Sequence, residues 1–208
     1  MLNIAVLVSG GGTNLQALLD AERDGLLGNG RIVCVISSKE GVAALDRASK
    51  AGKEGFCIPR RAFESMEEYD RALLEALEQR KIDLVVLAGF LSILGDEVVA
   101  RYRNRIINVH PALIPSFCGK GYYGLKVHEA ALDKGVKVTG ATVHFVNEIP
   151  DGGAIILQKA VEIRDGDTPE SLQKRVMVEA EWQLLPRAVA LFCDGKLKVE
   201  DHRVRILD

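Results

Sequence analysis

Two polar side chains interrupt an apolar run in the segment IINVHPALIP, residues 106–115. Asn108 and His110 are two positions apart, so in an extended strand both side chains point to the same face. The carboxyl end of a strand in an open α/β sheet borders the crevice where reactive groups lie. An amide beside an imidazole that titrates near neutral pH suits proton transfer, although a hydrogen-bonded structural pair is the alternative.

A carboxylate that raises the pKa of His110 would complete such a site, and Asp151 in PDGG is the best candidate by type. It lies in a turn between two predicted strands rather than on a solvated helix face. No metal site is predicted, because the four histidines form no i, i+4 pair and the four cysteines no C-x-x-C motif. No G-x-S-x-G motif occurs either, which leaves acid–base chemistry without a covalent intermediate.

Anion binding is predicted at VSGGGTN, residues 8–14, where glycines follow a strand and precede a helix. The loop lacks the lysine of a Walker A motif, and Leu15 stands where a dinucleotide fingerprint needs glycine. The second strand is followed by Ser37, Ser38 and Lys39 rather than by an acid for a ribose hydroxyl. A monophosphate is therefore favoured over NAD, with a plain tight turn as the alternative.

The elements that position these residues alternate between short apolar runs and amphipathic segments. Continuous apolar character predicts parallel strands buried on both faces, at residues 3–8, 32–36, 56–58, 84–88 and 106–109. Helices are predicted at residues 14–26, 42–51, 65–81 and 125–134, the third opening on a capping box of Ser65 and Glu68.

The C-terminal third predicts a different arrangement. VKVTGATVHFV and AIILQKAVEI are typical of two long strands, and the turn-rich connection NEIPDGG favours an antiparallel pair. A last helix is predicted from Thr168 and Pro169 to about Phe192, with a break at Pro186. The whole pattern predicts an α/β fold with a mostly parallel twisted sheet, helices on both faces and an antiparallel C-terminal strand pair.

Composition and net charge restrict the classes of partner that the chain is expected to bind. The chain of 208 residues is 48% hydrophobic and 27% charged, with a net charge of -2, which predicts neither a nucleic-acid partner nor a membrane surface. Four scattered cysteines, three of them in apolar runs, indicate a reducing cytoplasm. The N-terminal run is too short for a spanning helix and has no basic region of a signal peptide.

Five segments together resemble the folate-dependent formyltransferases over nearly the whole chain: SGGGTNLQALLD, LVVLAGFLSIL, NVHPALIPSFCGKGYYG, TGATVHFV and IPDGGAIILQ. The resemblance implies a Rossmann-like formyltransferase fold in one domain, residues 1–208. A nucleotide-phosphate half would cover about 1–100, and a folate and catalytic half about 84–208. It also implies formyl transfer from 10-formyltetrahydrofolate, a co-substrate, to the amine of 5-phosphoribosylglycinamide in purine biosynthesis, without a metal.

The resemblance further implies a role for each site residue. Asn108 would donate a hydrogen bond to the formyl oxygen, His110 would act as general acid, and Asp151 would raise the pKa of His110 and order a water. The substrate phosphate would be held by the backbone of Gly12, Thr13 and Asn14, and the ribose by Glu181. The folate would be bound by Leu91, Ser92, Ile93, Leu94, Asn108 and Met66. Helix packing is the alternative for Met66.

Three other functions are weighed against this one. A formyltetrahydrofolate deformylase would share the Asn, His and Asp constellation, but its members carry a preceding regulatory domain, for which a first strand at residue 3 leaves no room. A methionyl-tRNA formyltransferase would need a basic C-terminal domain. A non-enzymatic phosphate-binding module predicts that the glycine loop matters and His110 does not. A homodimer stays open.

Overall fold

A computed structural model describes all 208 residues and contains nine strands and seven α-helices. The strands are β1 (Leu2–Val8), β2 (Gly30–Ser37), β3 (Glu54–Cys57), β4 (Leu84–Leu87), β5 (Ile106–His110), β6 (Val138–Phe145), β7 (Ile155–Glu162), β8 (Leu197–Glu200) and β9 (Arg203–Ile206). The helices are α1 (Thr13–Arg23), α2 (Ala43–Lys50), α3 (Met66–Gln79), α4 (Asp96–Arg101), α5 (Leu125–Lys134), α6 (Pro169–Val176) and α7 (Trp182–Cys193). None of the helices combines the length and apolar character needed to cross a membrane.

All nine strands join in one mixed sheet with the order β3-β2-β1-β4-β5-β6-β7-β9-β8. The first five strands in this order run parallel, whereas β6 is antiparallel to both β5 and β7. The predicted parallel sheet and antiparallel strand pair are thereby confirmed. Because β1 lies between β2 and β4, the order reverses at β1, and the crevice beyond the carboxyl ends of β1 and β4 is the topological switch point.

Apolar side chains on both faces of the parallel strands explain why these strands are continuous hydrophobic runs. Along β1, Ile4 and Val6 belong to a larger core packed against α1 and α7, while Ala5 and Leu7 belong to a smaller core on the opposite face. The smaller core is closed by Tyr69, Leu73 and Leu77 of α3. Helices on both faces therefore cover the sheet and hold its carboxyl ends in place.

The N-terminal caps predicted for two helices are both present, but the capping box predicted for the first is incomplete. Ser65 does accept a hydrogen bond from the Glu68 backbone N–H, but the Glu68 carboxylate accepts from Glu64 N–H, so the predicted capping box is only half formed. At α6 the Thr168 cap is present, and a complete capping box forms with Ser171.

The predicted break at Pro186 is wrong. Pro186 lies inside α7 and is buried, while the irregular segment is a π-helical turn at Met177–Glu181, just before α7. A proline lacks the N–H of the helical ladder and crowds the carbonyl four residues earlier. The carbonyl four residues before Pro186 is that of Trp182, and the wider π-helical turn ends at the residue just before it. Pro186 is buried in the core, and the helix continues through it.

The sequence pattern did not predict α4 or the hairpin of β8 and β9. Both are short, and the hairpin alternates exposed basic residues with half-buried Val199 and Val204, a weak strand signal. Strand β9 joins the sheet through one residue pair with β7, Ile155 and Arg203.

Candidate active site

The site at the end of β5 is built by the pairing of β5 with β6. Asn108 lies opposite His144, and His110 lies opposite Thr142. The Thr142 hydroxyl donates to the Ala112 carbonyl over 2.6 Å and accepts from the Ile114 N–H over 3.1 Å. The strand pair therefore fixes both the two polar side chains of β5 and the first residues of the loop that follows them.

Four side chains meet at this point: Asn108, His110, His144 and Asp151. Oδ2 of Asp151 lies 3.6 Å from Nδ1 of His110, and Oδ1 lies 3.5 Å from Nε2 of His144. Nδ2 of Asn108 lies 3.2 Å from the same Nε2. Three residues chosen from the sequence, Asn108, His110 and Asp151, are thus brought together, and His144 links them.

The turn that carries Asp151 combines a positive φ angle at Asp151 with a closely packed glycine at Gly153. Asp151 has φ +54°, and its Oδ2 accepts a hydrogen bond of 2.8 Å from the Gly119 N–H. A Cβ atom at Gly153 would overlap the carbonyl oxygen of Phe145, so glycine is needed at this position for the close approach of the turn to β6. The contact with Gly119 joins this turn to the loop that follows β5.

The protonation state of His110 follows from its surroundings. Nε2 lies 2.8 Å from the carbonyl oxygen of Phe117, which can only accept, so Nε2 carries a hydrogen. Burial lowers the pKa of His110, and the charge of Asp151 and the Phe117 carbonyl only partly oppose this shift. Asp151 raises the pKa of His110 as predicted, but burial of the ring, which is only 4% exposed, lowers it by more. The ring is therefore neutral near pH 7.

Asp151 remains a carboxylate in this environment. Burial raises the pKa of its carboxyl group, but the neighbouring side chain of His144, the hydrogen bond from the Gly119 N–H and, once its ring is protonated in acid, the charge of His110 together lower it by more. The site thus holds a negative carboxylate beside a neutral imidazole. Such a pair stabilises any positive charge that His110 acquires during a reaction.

The glycine loop forms a second part of the site, at the start of α1. Gly12 has φ +72° and caps the helix without a side-chain hydrogen bond, so the first-turn N–H groups point outward. The Gly11 carbonyl accepts from the Arg47 side chain, which ties the loop to α2. A Cβ atom at Gly12 would lie 2.7 Å from that of Ala44, whereas one at Gly11 would meet nothing within 4 Å. The open side of the loop has the geometry of an anion site.

Asn14 and Glu181 meet beside this loop, although they are far apart in sequence. Nδ2 of Asn14 donates to Oε2 of Glu181 over 2.7 Å, and Oδ1 of Asn14 has no hydrogen-bond partner. Burial raises the pKa of the Glu181 carboxyl group to about 7, against the opposing effect of Asn14. Glu181 lies at the end of the π-helical turn, and such turns are frequent at functional sites.

The segment after β4 forms an apolar wall at the switch point. The Leu91 N–H donates to the Ser9 hydroxyl over 2.8 Å, which ties this segment to the end of β1. Leu91 and Ile93 are exposed, at 54% and 73%, whereas Leu94 packs against the smaller core and Ser92 is half-buried. Met66 also packs against the smaller core, which favours the packing alternative, and its contact with folate stays a prediction.

Two contributors to the site were missed in the sequence. In the sequence His144 is one of four histidines without metal-ligand spacing, and its place in a strand predicted to pair is the signal that could reveal it. Phe117 contributes a backbone carbonyl, for which its residue type gives no signal. No three His, Cys, Asp or Glu side chains are grouped so as to hold a metal ion.

The chain is similar in sequence to formyl transferases over most of its length. The model of the formyl transferase family matches residues 2–189. Phosphoribosylglycinamide formyltransferase of Escherichia coli (strain K12) is 38% identical over 201 residues, which cover 97% of this chain and 92% of that protein. The trifunctional purine biosynthetic protein adenosine-3 of Bos taurus is 43% identical over 199 residues, 96% of this chain but only 19% of that protein.

A solved structure is similar over the full length. The crystal structure of glycinamide ribonucleotide transformylase 1 from Symbiobacterium toebii superposes with a TM-score of 0.94 at 44% identity, covering 100% of this chain and 95% of that one. Fold and sequence similarity therefore extend over the glycine loop, the β5 site and the turn of Asp151 alike.

Proposed function

The chain belongs to the formyl transferase family, and we propose that it transfers the formyl group of 10-formyltetrahydrofolate to the amine of 5-phosphoribosylglycinamide. The products are formylglycinamide ribonucleotide and tetrahydrofolate, in purine biosynthesis. The observation that carries the proposal is the placement of Asp151 3.6 Å from His110, beside Asn108, at the end of β5. This constellation can transfer protons around a carbonyl group without a covalent intermediate or a metal.

The phosphate of the ribonucleotide is assigned to the glycine loop. The backbone N–H groups of Gly12, Thr13 and Asn14 lie at the start of α1, where the helix dipole favours an anion. No acidic residue lies in the first turn of α1 to oppose it. Glu181, joined to Asn14, is assigned to the ribose hydroxyls.

The folate is assigned to the switch-point wall formed by Leu91, Ser92, Ile93 and Leu94. Exposed apolar side chains next to backbone polar groups suit a flat heterocycle, which needs apolar walls and a few hydrogen bonds. This placement puts the formyl group between the wall and the end of β5. The two substrates then meet at Asn108 and His110.

The chemical step is assigned as follows. The amine attacks the formyl carbon, and the carbon–oxygen double bond becomes an oxyanion that accepts a hydrogen bond from Nδ2 of Asn108. His110, neutral at the start, takes a proton from the attacking amine and becomes a cation beside Asp151. The intermediate collapses, the bond from the formyl carbon to N10 of the folate breaks, and His110 gives its proton to N10. One proton has then moved from amine to folate, and the ring is neutral again.

An assay of formyl-folate consumption by the purified protein tests the proposal. Consumption that requires phosphoribosylglycinamide, with formation of its formyl derivative, is the expected result. Consumption without the amine would mean that water is the acceptor and that the chain is a deformylase. No consumption in either case would overturn the enzymatic proposal and favour a phosphate-binding module.

A further inference from the structure

His144 contacts two groups of the candidate site, yet the chemical step gives it no part. Its side chain is 1% exposed and lies on β6 directly opposite Asn108. Nε2 has two neighbours, Nδ2 of Asn108 at 3.2 Å and Oδ1 of Asp151 at 3.5 Å. The role of a buried imidazole at such a junction depends on which of its nitrogens carries a hydrogen.

The other ring nitrogen fixes this choice. Nδ1 of His144 lies 2.7 Å from the carbonyl oxygen of Phe145. A carbonyl oxygen can only accept, so the hydrogen is on Nδ1. In the tautomer with this single hydrogen, Nε2 of His144 is an acceptor.

The acceptor at Nε2 dictates how the carboxamide of Asn108 is turned. The NH2 group must face Nε2, because the opposite orientation would place the amide oxygen against the lone pair of the ring. One hydrogen of the NH2 group binds His144, and the second remains available to the site. A half-turn of the amide would instead present its oxygen to a developing oxyanion and repel it.

We propose that His144 is a positioning residue for the formyl transfer, an inference that rests on the proposed function: its unprotonated Nε2 fixes the carboxamide of Asn108 with an N–H directed at the formyl oxygen. His144 touches no reacting atom in this assignment and acts through Asn108. The Phe145 carbonyl, held in the pairing of β5 with β6, keeps the required tautomer.

Two substitutions test the roles of the two ring nitrogens of His144 separately. In His144→Gln the side-chain oxygen reaches the place of Nε2 and can accept from Asn108, whereas in His144→Asn the shorter amide retains only a donor near the place of Nδ1. We expect His144→Asn to lower kcat about 10- to 100-fold, with each Michaelis constant changed less than about threefold, because an oxyanion donor is misdirected. His144→Gln should retain kcat within about threefold. Equal losses in both variants would overturn the proposal, and thermal unfolding of each variant measures any loss of stability.

A double-mutant cycle identifies the residue through which His144 acts. In an Asn108→Ala background, His144→Asn should cause little further loss of kcat, because its effect has already been removed. The full loss in that background, or a loss that disappears only with Asp151→Asn, would contradict the assignment to Asn108.

An activity-independent measurement keeps this inference distinct from the proposed function. Nitrogen-15 spectra of the labelled imidazole should show Nδ1 protonated and Nε2 unprotonated in the wild-type protein. A protonated Nε2 would overturn the positioning role even in an active enzyme. An inactive wild-type protein with the expected tautomer would overturn formyl transfer, and with it the role of His144 in that reaction.

Discussion

Nδ1 of His110 faces the carboxylate of Asp151 at 3.6 Å, while Nε2 of the same ring is bound to a backbone carbonyl. The hydrogen bond at Nε2 holds the neutral ring, and its unprotonated Nδ1 has a negative charge beside it. Asp151 stabilises the ring only when it becomes a cation, so its effect should be concentrated on the steps in which His110 holds the proton.

Asp151→Asn tests that effect. The substitution keeps the size of the side chain and its acceptor for the Gly119 N–H, so folding should be retained. Removing the charge should lower kcat about 10²-fold or more, with small changes in the Michaelis constants, and should shift the pKa of His110 further down. The measurements are steady-state kinetics and an NMR titration of His110. Near-normal turnover would remove Asp151 from the mechanism.

Gly11→Asp tests the anion site without disturbing the loop. A Cβ atom at Gly11 has open space, and the added carboxylate would occupy the region assigned to the phosphate. The Michaelis constant for the ribonucleotide should rise about tenfold or more, while that for the folate stays nearly constant. Gly12→Ala is the contrasting variant, because its methyl group collides with Ala44 and should lower the thermal unfolding temperature. Equal effects of Gly11→Asp on both substrates would argue against the assignment.

Glu181→Gln should increase stability in alkaline solution. The pKa of this carboxyl group is raised from 4.5 to about 7 in the folded state, so the folded state holds a proton that the unfolded state has lost. The resulting stability is complete below about pH 4.5 and is lost as the pH rises through about 7. A glutamine, always neutral, avoids this loss and still accepts from Asn14. Urea unfolding at pH 5 and pH 8 should show the gain of the variant only at pH 8. No gain there would contradict an unfavourable buried charge.

His128 should make the fold sensitive to acid. The ring is fully buried on α5, both nitrogens lack hydrogen-bond partners, and burial lowers its pKa from 6.5 to about 4. The unfolded state therefore takes up a proton first, and stability is lost as the pH falls from about 6.5 towards 4. His128→Leu should flatten this dependence, as measured by urea unfolding at pH 7 and pH 5.

The exposed His202 provides the matched control for that experiment, and His202→Gln should leave the dependence unchanged. An equally steep loss of stability in His128→Leu would assign the acid sensitivity to other groups.

Local patterns predicted part of the site, and long-range pairing supplied the rest. Asn108 and His110 share a face because a strand repeats every two residues, and the glycine loop is recognisable from the strand and helix on either side of it. The contact of Asp151 with His110 depends on a strand pair and on a turn 41 positions away in the sequence. The residue type of Asp151 therefore marks it as a candidate but does not show the contact. Comparison of the strand register would have added His144, which lies opposite Asn108.

Other features depended on burial and on the backbone. The net direction of the pKa of His110 required its depth in the fold, because burial outweighs the nearby carboxylate. The contribution of Phe117 is a carbonyl oxygen, which every residue type possesses. The course of the last helix through Pro186 depends on a π-helical turn that local propensity does not predict.

The most direct test of the account is the rate of formyl transfer by His110→Ala, measured with a carbon-13 formyl donor in the presence of phosphoribosylglycinamide. The wild-type protein should form the labelled formyl amide. The variant should still bind both substrates but transfer the label about 10²- to 10⁴-fold more slowly, because no group carries the proton from amine to folate. Transfer at the wild-type rate by His110→Ala would contradict the central role of this residue.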